Sequence, residues 1–214
     1  MLKPQVTSNI PNVENFLRHC QRQQYKAKGN VMNQGEAGDK LYLILEGSVS
    51  VMVEDVSEPG HMLVVSYLNP GDFVGEMGLF EDDMSSRSAM VVAKTECEVA
   101  EISYDKFHQI SAHYPDVLYA IARQLGKRLR QTTRKLTDLA FVDVSGRIAH
   151  TLIDLCLEPD AMTHPDGIQI KITRQELGKI VGCSREMAGR VLKALEEDGL
   201  VSVTGKTMVV FGAR

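Results

Sequence analysis

One segment of the chain combines glycines with side chains that can bind an anion. Residues 71–80 have the sequence GDFVGEMGLF, and Arg87 and Ser88 follow closely. A glycine-rich turn that leads into a short helix exposes backbone N–H groups, which can hold a phosphate. Arg87 offers a planar guanidinium to the same anion, and Glu76 can accept hydrogen bonds from a ribose hydroxyl. These residues alone leave two interpretations open, because Glu76 could also pair with Arg87 and the glycines could close a corner of a barrel.

A second segment, residues 171–193, has the features of a helix pair that contacts DNA. It carries six basic and two acidic residues in a chain whose net charge is −4, and such a local excess can attract a duplex. Thr173 and Glu176 have the spacing of a capping box that starts a helix, and this helix ends at Gly182. Ser184 can cap a second helix directly afterwards. Two short helices joined by a tight turn with glycine predict a helix-turn-helix.

The second of these helices carries side chains that can read bases. Arg185 and Arg190 can bind guanine through O6 and N7, and Glu186 can accept a hydrogen bond from cytosine N4. They lie in the N-terminal half of the helix, the end that enters a major groove. Gly178 is small where the two helices must approach closely. Many helical hairpins never meet DNA, so the prediction also depends on the basic excess and on the hairpin expected about Gly205.

Three hydrophobic patterns along the chain indicate the elements that position these groups. From about Val31 to Ile102, short apolar runs separated by glycines predict the strands of a barrel or sandwich. From Pro115 to about Phe141 the pattern is helical. After Asp143, short helices alternate with β-ribbons. The chain therefore predicts a β-rich N-terminal part, one long helix and a mixed C-terminal part.

The long helix carries an apolar stripe with alternating spacings of four and three residues. The stripe consists of Leu118, Ala122, Leu125, Leu129, Thr132, Leu136 and Leu139. This narrow heptad seam predicts parallel homodimerisation through the helix, whereas a helix packed on its own barrel usually shows a wider apolar face. Thr132 is polar within the seam, and it is either a device that sets the register or part of a binding site.

Composition narrows the classes of protein that the chain can represent. It has 214 residues, of which 43% are hydrophobic, enough for the cores of one large domain or two small ones. No apolar run approaches the roughly 20 residues of a membrane span, and the first residues lack the apolar region of a secretory signal. The four cysteines are far apart, which favours buried thiols in a reducing compartment. We expect a cytoplasmic protein without a membrane segment.

The positions of the histidines indicate whether the barrel binds a ligand or holds the metal of an enzyme. A metal-dependent barrel enzyme needs clustered histidines and a carboxylate inside the barrel. The six histidines show no ligand spacing, and only His61 lies in the strand region. We therefore expect no metal and no enzymatic activity.

Several segments together resemble one family. GEMGLF followed by RSA resembles the phosphate-binding cassette of cyclic-nucleotide domains, and ITRQELGKIVGCSREMAGRVLKALE resembles the DNA-reading part of the cAMP receptor protein (catabolite activator) family. FVDVSGRIAHTL, PDAMTHPDG and GKTMVVFGAR extend the resemblance over nearly the whole chain. It implies an α+β fold with an N-terminal cyclic-nucleotide-binding β-barrel of the jelly-roll type (1–114), a long dimerisation helix (115–141) and a C-terminal winged helix-turn-helix (142–214).

The resemblance also implies a function and a ligand site. The expected function is that of a cAMP-dependent transcription regulator, which binds palindromic sites in double-stranded DNA as a homodimer and contacts RNA polymerase. Its effector would be 3′,5′-cyclic AMP, with no metal. The family pattern assigns the cyclic phosphate to Gly75, Arg87 and Ser88, the ribose 2′-hydroxyl to Glu76, the barrel wall to Val65 and Ser66, and the adenine to Thr132 and Thr133, the latter from the partner subunit.

Three further sets of residues come from the same resemblance. The residues expected to contact DNA are Thr173, Arg174, Ser184, Arg185, Glu186, Arg190, Lys193 and Lys206. Those expected to contact RNA polymerase are Thr163, His164 and Gly167. The hinge expected to move when the ligand binds is formed by Phe141, Val142 and Asp143. Cyclic AMP would shift the population towards the conformation that fits DNA.

The chain also departs from the family pattern. The best-known member presents basic residues to RNA polymerase where this chain has Gln21 and Gln23, which puts that second contact in question. The loop of residues 81–86 differs in length and charge, and Met90 replaces an aromatic residue, although no ligand contact is lost. Some relatives hold an iron–sulfur cluster through N-terminal cysteines, bind cyclic di-GMP or need no ligand. The scarcity of cysteines argues against a cluster, and Glu76 together with the threonine pair Thr132 and Thr133 favours cyclic AMP.

Overall fold

A computed structural model of the chain describes residues 10–81 and 86–213. Two of the expectations above concern residues outside this part. The absence of a secretory signal rests partly on residues 1–9, and the unusual loop of residues 81–86 lies mostly outside the described residues.

The chain divides into two compact units, Met1–Gln131 and Thr132–Arg214, called here the N-terminal and C-terminal units. The division falls inside a continuous helix of 27 residues, Pro115–Phe141. The expected three-part division of the chain at residues 114 and 141 stays a prediction.

The described part of the N-terminal unit contains two antiparallel sheets of four strands each. The strands are β1 (Gln21–Tyr25), β2 (Asn30–Met32), β3 (Lys40–Glu46), β4 (Val49–Glu54), β5 (Met62–Leu68), β6 (Phe73–Val74), β7 (Met90–Ala93) and β8 (Cys97–Ser103). The strand orders are β1-β8-β3-β6 and β2-β7-β4-β5, so most neighbours in a sheet are not consecutive in the chain. This double-sheet arrangement confirms the jelly-roll prediction.

Strand β3 explains why the run LYLIL is continuously apolar. Leu41 and Leu43 pack in the core between the first sheet and the helices, whereas Tyr42 and Ile44 pack in the core between the two sheets. Because successive side chains of a strand point to opposite faces, a strand buried on both sides needs apolar residues at every position. The glycine-rich segment is therefore attached, through β6, to a strand that is buried on both faces.

Among the described residues, the N-terminal unit also contains three α-helices: α1 (Val13–Leu17), α2 (Tyr104–Ser111) and the first part of α3 (Pro115–Phe141). Pro115 occupies the first helical position, as predicted, because a proline there loses no hydrogen bond. Val117, Ala120 and Ile121 anchor α3 in the core beside the first sheet. The start of α3 is thereby fixed against the barrel.

The apolar stripe of α3 changes its surroundings along the helix. Leu118 and Leu125 pack against the core. Leu129, Leu136 and Leu139 are 69%, 66% and 51% exposed in the single chain. The stripe therefore leaves the core of its own chain after its first turns, although its spacing continues unchanged.

The C-terminal unit is a winged helix-turn-helix, as predicted. Its elements after α3 are α4 (Val144–Leu155), β9 (Met162–His164), β10 (Gly167–Lys171), α5 (Arg174–Val181), α6 (Arg185–Glu197), β11 (Val201–Thr204) and β12 (Thr207–Phe211). The four strands form one antiparallel sheet in the order β11-β12-β10-β9. Ile148, Leu177, Leu192 and Met208 are completely or almost completely buried and form the centre of its core. Helices α5 and α6 are thus packed on a sheet as well as on each other.

Two further findings concern the whole described part of the chain. Within residues 10–81 and 86–213, no helix is both long enough and apolar enough to cross a membrane. The same residues contain no group of three or more histidine, cysteine, aspartate or glutamate side chains arranged to hold a metal ion.

Candidate ligand site and nucleic-acid interface

The glycine-rich segment forms a tight corner against the first sheet. Strand β6 pairs with β3, and the chain then turns at Gly75, whose φ is +81°, into a 3₁₀ helix of residues Met77–Phe80. A Cβ atom on Gly75 would lie 2.7 Å from the Lys40 carbonyl oxygen and 2.8 Å from Nη1 of Arg87. Glycine is therefore required here both by the backbone conformation and by the space.

Arg87 lies beneath this corner as a buried cation, with 9% of its surface exposed. Nη1 donates to the Tyr104 hydroxyl at 2.6 Å and to the Gly75 carbonyl at 3.2 Å, and Nη2 donates to the Lys40 carbonyl at 2.7 Å. All three partners are neutral, and no carboxylate of the described residues forms an ion pair with Arg87. A buried charge without a counter-ion is unfavourable. The site therefore has the electrostatics of an anion-binding pocket.

Glu76, the second candidate charge, pairs with a different arginine. It is 6% exposed, and its Oε1 lies 2.5 Å from Nη1 of Arg128. The structure therefore excludes the Glu76–Arg87 pair that the sequence left open. With its carboxylate oriented by Arg128, Glu76 can present its remaining oxygen lone pairs to a hydroxyl group.

Arg128 and Gln124 are site residues that the sequence analysis missed. Gln124 accepts a hydrogen bond from Phe73 N at 2.8 Å and donates to the Gly71 carbonyl at 2.7 Å, and Arg128 donates to the Phe73 carbonyl. The two residues are four apart on α3, so they project from the same face of the helix. Gln124 and Arg128 are polar and lie beside the apolar stripe in the helical pattern. This is the sequence signal that could have indicated that a second face of α3 contacts the glycine-rich segment, called here the cassette (residues 71–80 with Arg87 and Ser88).

The remaining residues assigned to the pocket have varied surroundings. Val65 and Ser66 are half-buried in β5, and the register shifts there, because Val51 pairs with Ser66 while Met52 pairs with Val64. Val65 is thus the extra residue of a β-bulge, a feature that often redirects side chains next to binding sites. Ser88 is exposed, and its hydroxyl contacts the Met77 sulfur at 3.5 Å.

The two threonines expected to hold the adenine are exposed residues of α3. Thr132 and Thr133 are the first residues of the C-terminal unit. Their contact with a ligand and their origin from two different subunits stay predictions.

The helix-turn-helix is built from the local signals that the sequence displays. The Thr173 hydroxyl accepts from Glu176 N, and the Ser184 hydroxyl accepts from Met187 N, both at 3.1 Å, so each caps its helix. Gly182 ends α5 with φ +73°, a left-handed conformation that suits glycine. A Cβ on Gly178 would lie 2.6 Å from the Cys183 carbonyl oxygen, which confirms the predicted close approach.

Helix α6 separates a packing face from a polar face. Ala188, Val191 and Leu192 are buried in the core of the C-terminal unit. The opposite face exposes Glu186, Arg190 and Lys193, and Arg185 is exposed at the first position of the helix. Lys193 makes an exposed pair with Glu197 at 3.6 Å, and such pairs are weak. The other three form no ion pair with another described residue, so their polar groups are free to meet a partner.

Two more cationic residues flank this helix. Arg174 begins α5, and its side chain lies against α6, because a Cβ on Gly189 would be 3.4 Å from its Cδ. Lys206 is exposed at the tip of the β11–β12 hairpin. Its carbonyl accepts a hydrogen bond from Ile172 N at 2.8 Å, which ties the wing to the segment that precedes α5. The wing and the helix pair are therefore held in one arrangement.

The residues assigned to RNA polymerase lie in the β9–β10 hairpin. Thr163 and His164 belong to β9, and His164 pairs with Gly167 across the turn. A Cβ on Gly167 would be 2.0 Å from the Val210 carbonyl oxygen, so glycine is needed here for sheet packing whatever its other role.

The residues assigned to the hinge connect α3 with α4. Phe141 ends α3 and is 85% exposed. Asp143 caps α4, since its Oδ1 accepts from Gly146 N at 2.8 Å. Val142 donates its N–H to the Asp138 carbonyl and packs against Gly146. This corner therefore has a defined geometry.

The cysteine thiols lie in surroundings that suppress their reactivity. Burial raises the pKa of Cys20 to about 12. Burial likewise raises the pKa of Cys97, Cys156 and Cys183. The thiolate is the reactive form, so these side chains behave as small apolar residues at neutral pH.

Comparisons with known proteins identify both domains of the chain. Residues 22–114 match the family model of the cyclic nucleotide-binding domain, and residues 146–211 match that of the Crp-like helix-turn-helix domain. The chain is 57% identical over 210 residues to the cAMP-activated global transcriptional regulator Vfr of Pseudomonas aeruginosa, with 97% of each chain covered. It is 54% identical over 212 residues to the cAMP-activated global transcriptional regulator CRP of Salmonella typhimurium, covering 99% of this chain and 98% of the relative.

A solved structure extends the comparison to the fold. The c-di-GMP responsive global regulator CLP of Xanthomonas campestris has a TM-score of 0.86 and 47% sequence identity, with 94% of this chain and 98% of that chain covered. These relatives are transcription regulators and not enzymes. The chain belongs to the family of CRP-like transcription regulators, with a cyclic-nucleotide-binding domain followed by a helix-turn-helix domain.

Proposed function

We propose that this protein is a cAMP-dependent transcription regulator that binds palindromic sites in double-stranded DNA as a homodimer. The observation that carries the proposal is the buried guanidinium of Arg87, whose described partners are all neutral. A cyclic phosphate would supply the missing negative charge. The relatives described above as cAMP-activated support this choice of effector.

The cassette offers complementary groups to the two polar parts of such a nucleotide. Gly75 and Ser88 would bind the cyclic phosphate together with Arg87, and Glu76 would accept the ribose 2′-hydroxyl. Arg128 already orients the Glu76 carboxylate, so this acceptor needs little rearrangement when the ligand binds. Thr132 and Thr133 would hold the adenine, the latter from the partner subunit, while Val65 and Ser66 would line the wall.

Dimerisation is supported by the part of the α3 stripe that its own chain leaves exposed. Leu129, Leu136 and Leu139 continue the heptad spacing outside the core. Burying a leucine side chain stabilises by about 1.5–3 kcal/mol, so pairing two such stripes would be favourable. Thr132 lies in the same stripe, which would let one helix serve both the ligand site and the dimer.

The polar face of α6 would read DNA, and the ligand would control its placement. Arg185, Glu186 and Arg190 would contact bases, with Lys193, Lys206, Arg174, Thr173 and Ser184 near the backbone. Cyclic AMP would favour the geometry in which both copies of α6 fit the duplex, with movement at Phe141–Asp143. RNA polymerase would contact Thr163, His164 and Gly167, and the cytoplasm is the expected compartment.

Titration of the purified protein tests the effector and the switch separately. Calorimetry with cyclic AMP, cyclic GMP and cyclic di-GMP should show the tightest binding for cyclic AMP. Affinity for a palindromic DNA site should then rise on addition of cyclic AMP. Equal DNA affinity with and without the nucleotide would refute the switch, and DNA binding that ignores palindromy would refute the proposed dimeric recognition.

Cyclic di-GMP is a second candidate effector, because the similar Xanthomonas regulator is described as responsive to it. The same calorimetry separates the two. Tighter binding of cyclic di-GMP than of cyclic AMP would favour this second candidate and would contradict the first.

A charge on the α3 stripe tests the dimer. Leu136→Asp should convert the protein to a monomer, because an aspartate in the seam cannot be buried without a large cost. Sedimentation velocity measures the change. Gln131→Asp, which adds the same charge at an exposed position outside the stripe, should remain dimeric. A dimer that persists in Leu136→Asp would place the interface elsewhere.

A further inference from the structure

We propose that Tyr104 is a positioning residue for Arg87 and that Gly38 supplies the space in which the guanidinium lies. The inference rests on the proposed function, since it concerns how the cyclic phosphate would be held. Neither residue stands in the glycine-rich segment or beside Arg87 in the sequence. Both are brought to Arg87 by the fold.

Tyr104 connects the two parts of the phosphate site. Its hydroxyl accepts a hydrogen bond from Nη1 of Arg87 at 2.6 Å and donates one to the Gly75 carbonyl. The Arg87 guanidinium also lies 5.6 Å from the centre of the tyrosine ring, within the range of a cation–π contact. One phenol therefore links the cation of the site to the glycine corner.

The backbone of Tyr104 is itself fixed. It is the first residue of α2, directly after the cap Ser103, and its N–H donates to the Asp39 carbonyl at 2.7 Å. Burial raises the pKa of Tyr104, with the positive charge of Arg87 as a smaller opposing effect. The phenol therefore keeps its proton at neutral pH and can donate to Gly75 while it accepts from Arg87.

These contacts determine which donors of Arg87 remain for an anion. The guanidinium has five N–H groups. Nη1 uses both of its hydrogens, towards Tyr104 and Gly75, and Nη2 uses one towards Lys40. Nε and the second hydrogen of Nη2 have no partner among the described residues. Tyr104 thus occupies one end of the guanidinium and leaves the other donors for a phosphate oxygen.

Gly38 explains how the guanidinium fits at this depth. A Cβ atom on Gly38 would lie 1.8 Å from Nε, 2.3 Å from Cζ and 2.5 Å from Nη2 of Arg87. The φ of Gly38 is not in the left-handed region, so its backbone conformation would accept an alanine. Space for Arg87 is therefore the reason for glycine at this position.

The first experiment removes only the hydroxyl group. Tyr104→Phe keeps the ring, and we expect the affinity for cyclic AMP to fall roughly tenfold or more, because hydrogen bonds to charged groups are strong. The matched control is Tyr114→Phe, which removes a hydroxyl bonded to His19 rather than to a cassette residue and should bind normally. Calorimetry gives the affinity, and thermal unfolding shows that both variants are folded.

A second readout separates positioning from a merely structural role. The two phosphorothioate diastereomers of cyclic AMP replace one exocyclic oxygen at a time with sulfur. If Tyr104 directs Arg87 to one oxygen, Tyr104→Phe should reduce the preference between the diastereomers. An affinity and a preference equal to those of the wild type would overturn the inference while leaving the proposed function intact.

A double-mutant cycle tests whether Tyr104 acts through Arg87. In an Arg87→Lys background, which lacks the Nη1 donor, Tyr104→Phe should change the affinity less than about twofold. An equal loss in both backgrounds would overturn the inference. A wild-type protein that binds no cyclic nucleotide would overturn the proposed function and this inference together.

Gly38→Ala gives an independent check. It should weaken cyclic AMP binding by displacing the guanidinium, and it should lower the midpoint of thermal unfolding in the wild type but not in an Arg87→Leu background. Unchanged affinity in Gly38→Ala would contradict the role assigned to Gly38.

Discussion

Arg87 and Arg185 place the same side chain in opposite surroundings. Arg87 is 9% exposed, and its guanidinium is held by one hydroxyl and two carbonyl groups. Arg185 is exposed at the start of α6 and forms no ion pair with another described residue. The first cation is desolvated when the protein folds, whereas the second remains in water.

This difference indicates how each site gains its selectivity. Because Arg87 is already fixed and desolvated, an anion that reaches it gains a strong interaction with little reorganisation. Arg185 must lose bound water and side-chain freedom when it contacts a base. It therefore contributes to DNA affinity only where the base offers hydrogen-bond acceptors in the matching geometry. Substitutions in the cassette should therefore affect binding more than substitutions on the reading face.

The largest effect is expected at the buried cation. Arg87→Leu should weaken cyclic AMP binding by at least about 30-fold, because truncating one partner of a buried charge pair costs about 2–5 kcal/mol. Calorimetry measures the loss. Arg22→Leu, which removes an exposed arginine paired with Glu98 on the same unit, is the control and should bind normally. Undiminished heat from Arg87→Leu would refute the pocket.

The second effect tests whether the close packing of α5 against α6 supports the DNA-binding residues, as the buried contacts of Arg87 support the ligand site. Gly178→Ala would force a Cβ to 2.6 Å from the Cys183 carbonyl, and overpacking of this kind costs about 1–3 kcal/mol. Chemical denaturation should show a lower free energy of unfolding, and a DNA titration should show weaker binding. In Gly189→Ala the new Cβ meets only the flexible Arg174 side chain at 3.4 Å, so its stability should be unchanged or up to about 1 kcal/mol higher, since alanine favours the helix. Equal stabilities of the two variants would contradict the close helix approach.

An effect of similar size, but confined to one base pair, is expected at Arg185. Arg185→Ala should relax discrimination at one base pair by about 1–3 kcal/mol. The stability of the protein and its affinity for cyclic AMP should not change. A panel of DNA sites with single base changes measures the effect. Uniform weakening at every site would mean that Arg185 contacts the phosphate backbone instead.

The smallest effect is expected at the tip of the wing. Lys206→Ala should weaken DNA binding about equally for all sequences, because a phosphate contact carries no base information. The slope of the logarithm of affinity against the logarithm of salt concentration should fall by about 1. An unchanged slope would show that Lys206 does not contact a phosphate.

Local signals in the sequence were enough to predict most elements. Pro115 marks the start of α3, Thr173 and Ser184 cap the reading helices, and Gly182 ends the first of them, as the structure confirms. Each of these signals acts within a few residues, so it can be recognised without the fold. The polar face of α6 was predicted for the same reason, because helical spacing alone separates it from the packing face.

The ligand pocket could be predicted only in part. Gly75 and Arg87 stand out because a glycine-rich turn and a nearby arginine suggest an anion site. Their actual partners are distant in the chain: Gln124 lies 51 residues from Phe73, and Arg128 lies 52 residues from Glu76. No periodicity indicates such pairs, since they depend on which helix face meets the cassette.

The sequence by itself determined a β-rich barrel or sandwich, the long helix with its heptad stripe and the capped helix pair, because local propensity and hydrophobic period act over short stretches. The jelly-roll form of the barrel was implied only by the family resemblance. Only the tertiary structure decided that Glu76 pairs with Arg128 and that Arg87 lies against Gly38 and Tyr104. These choices depend on burial, which makes an unpaired charge or one extra methyl group unfavourable at positions that only packing brings together.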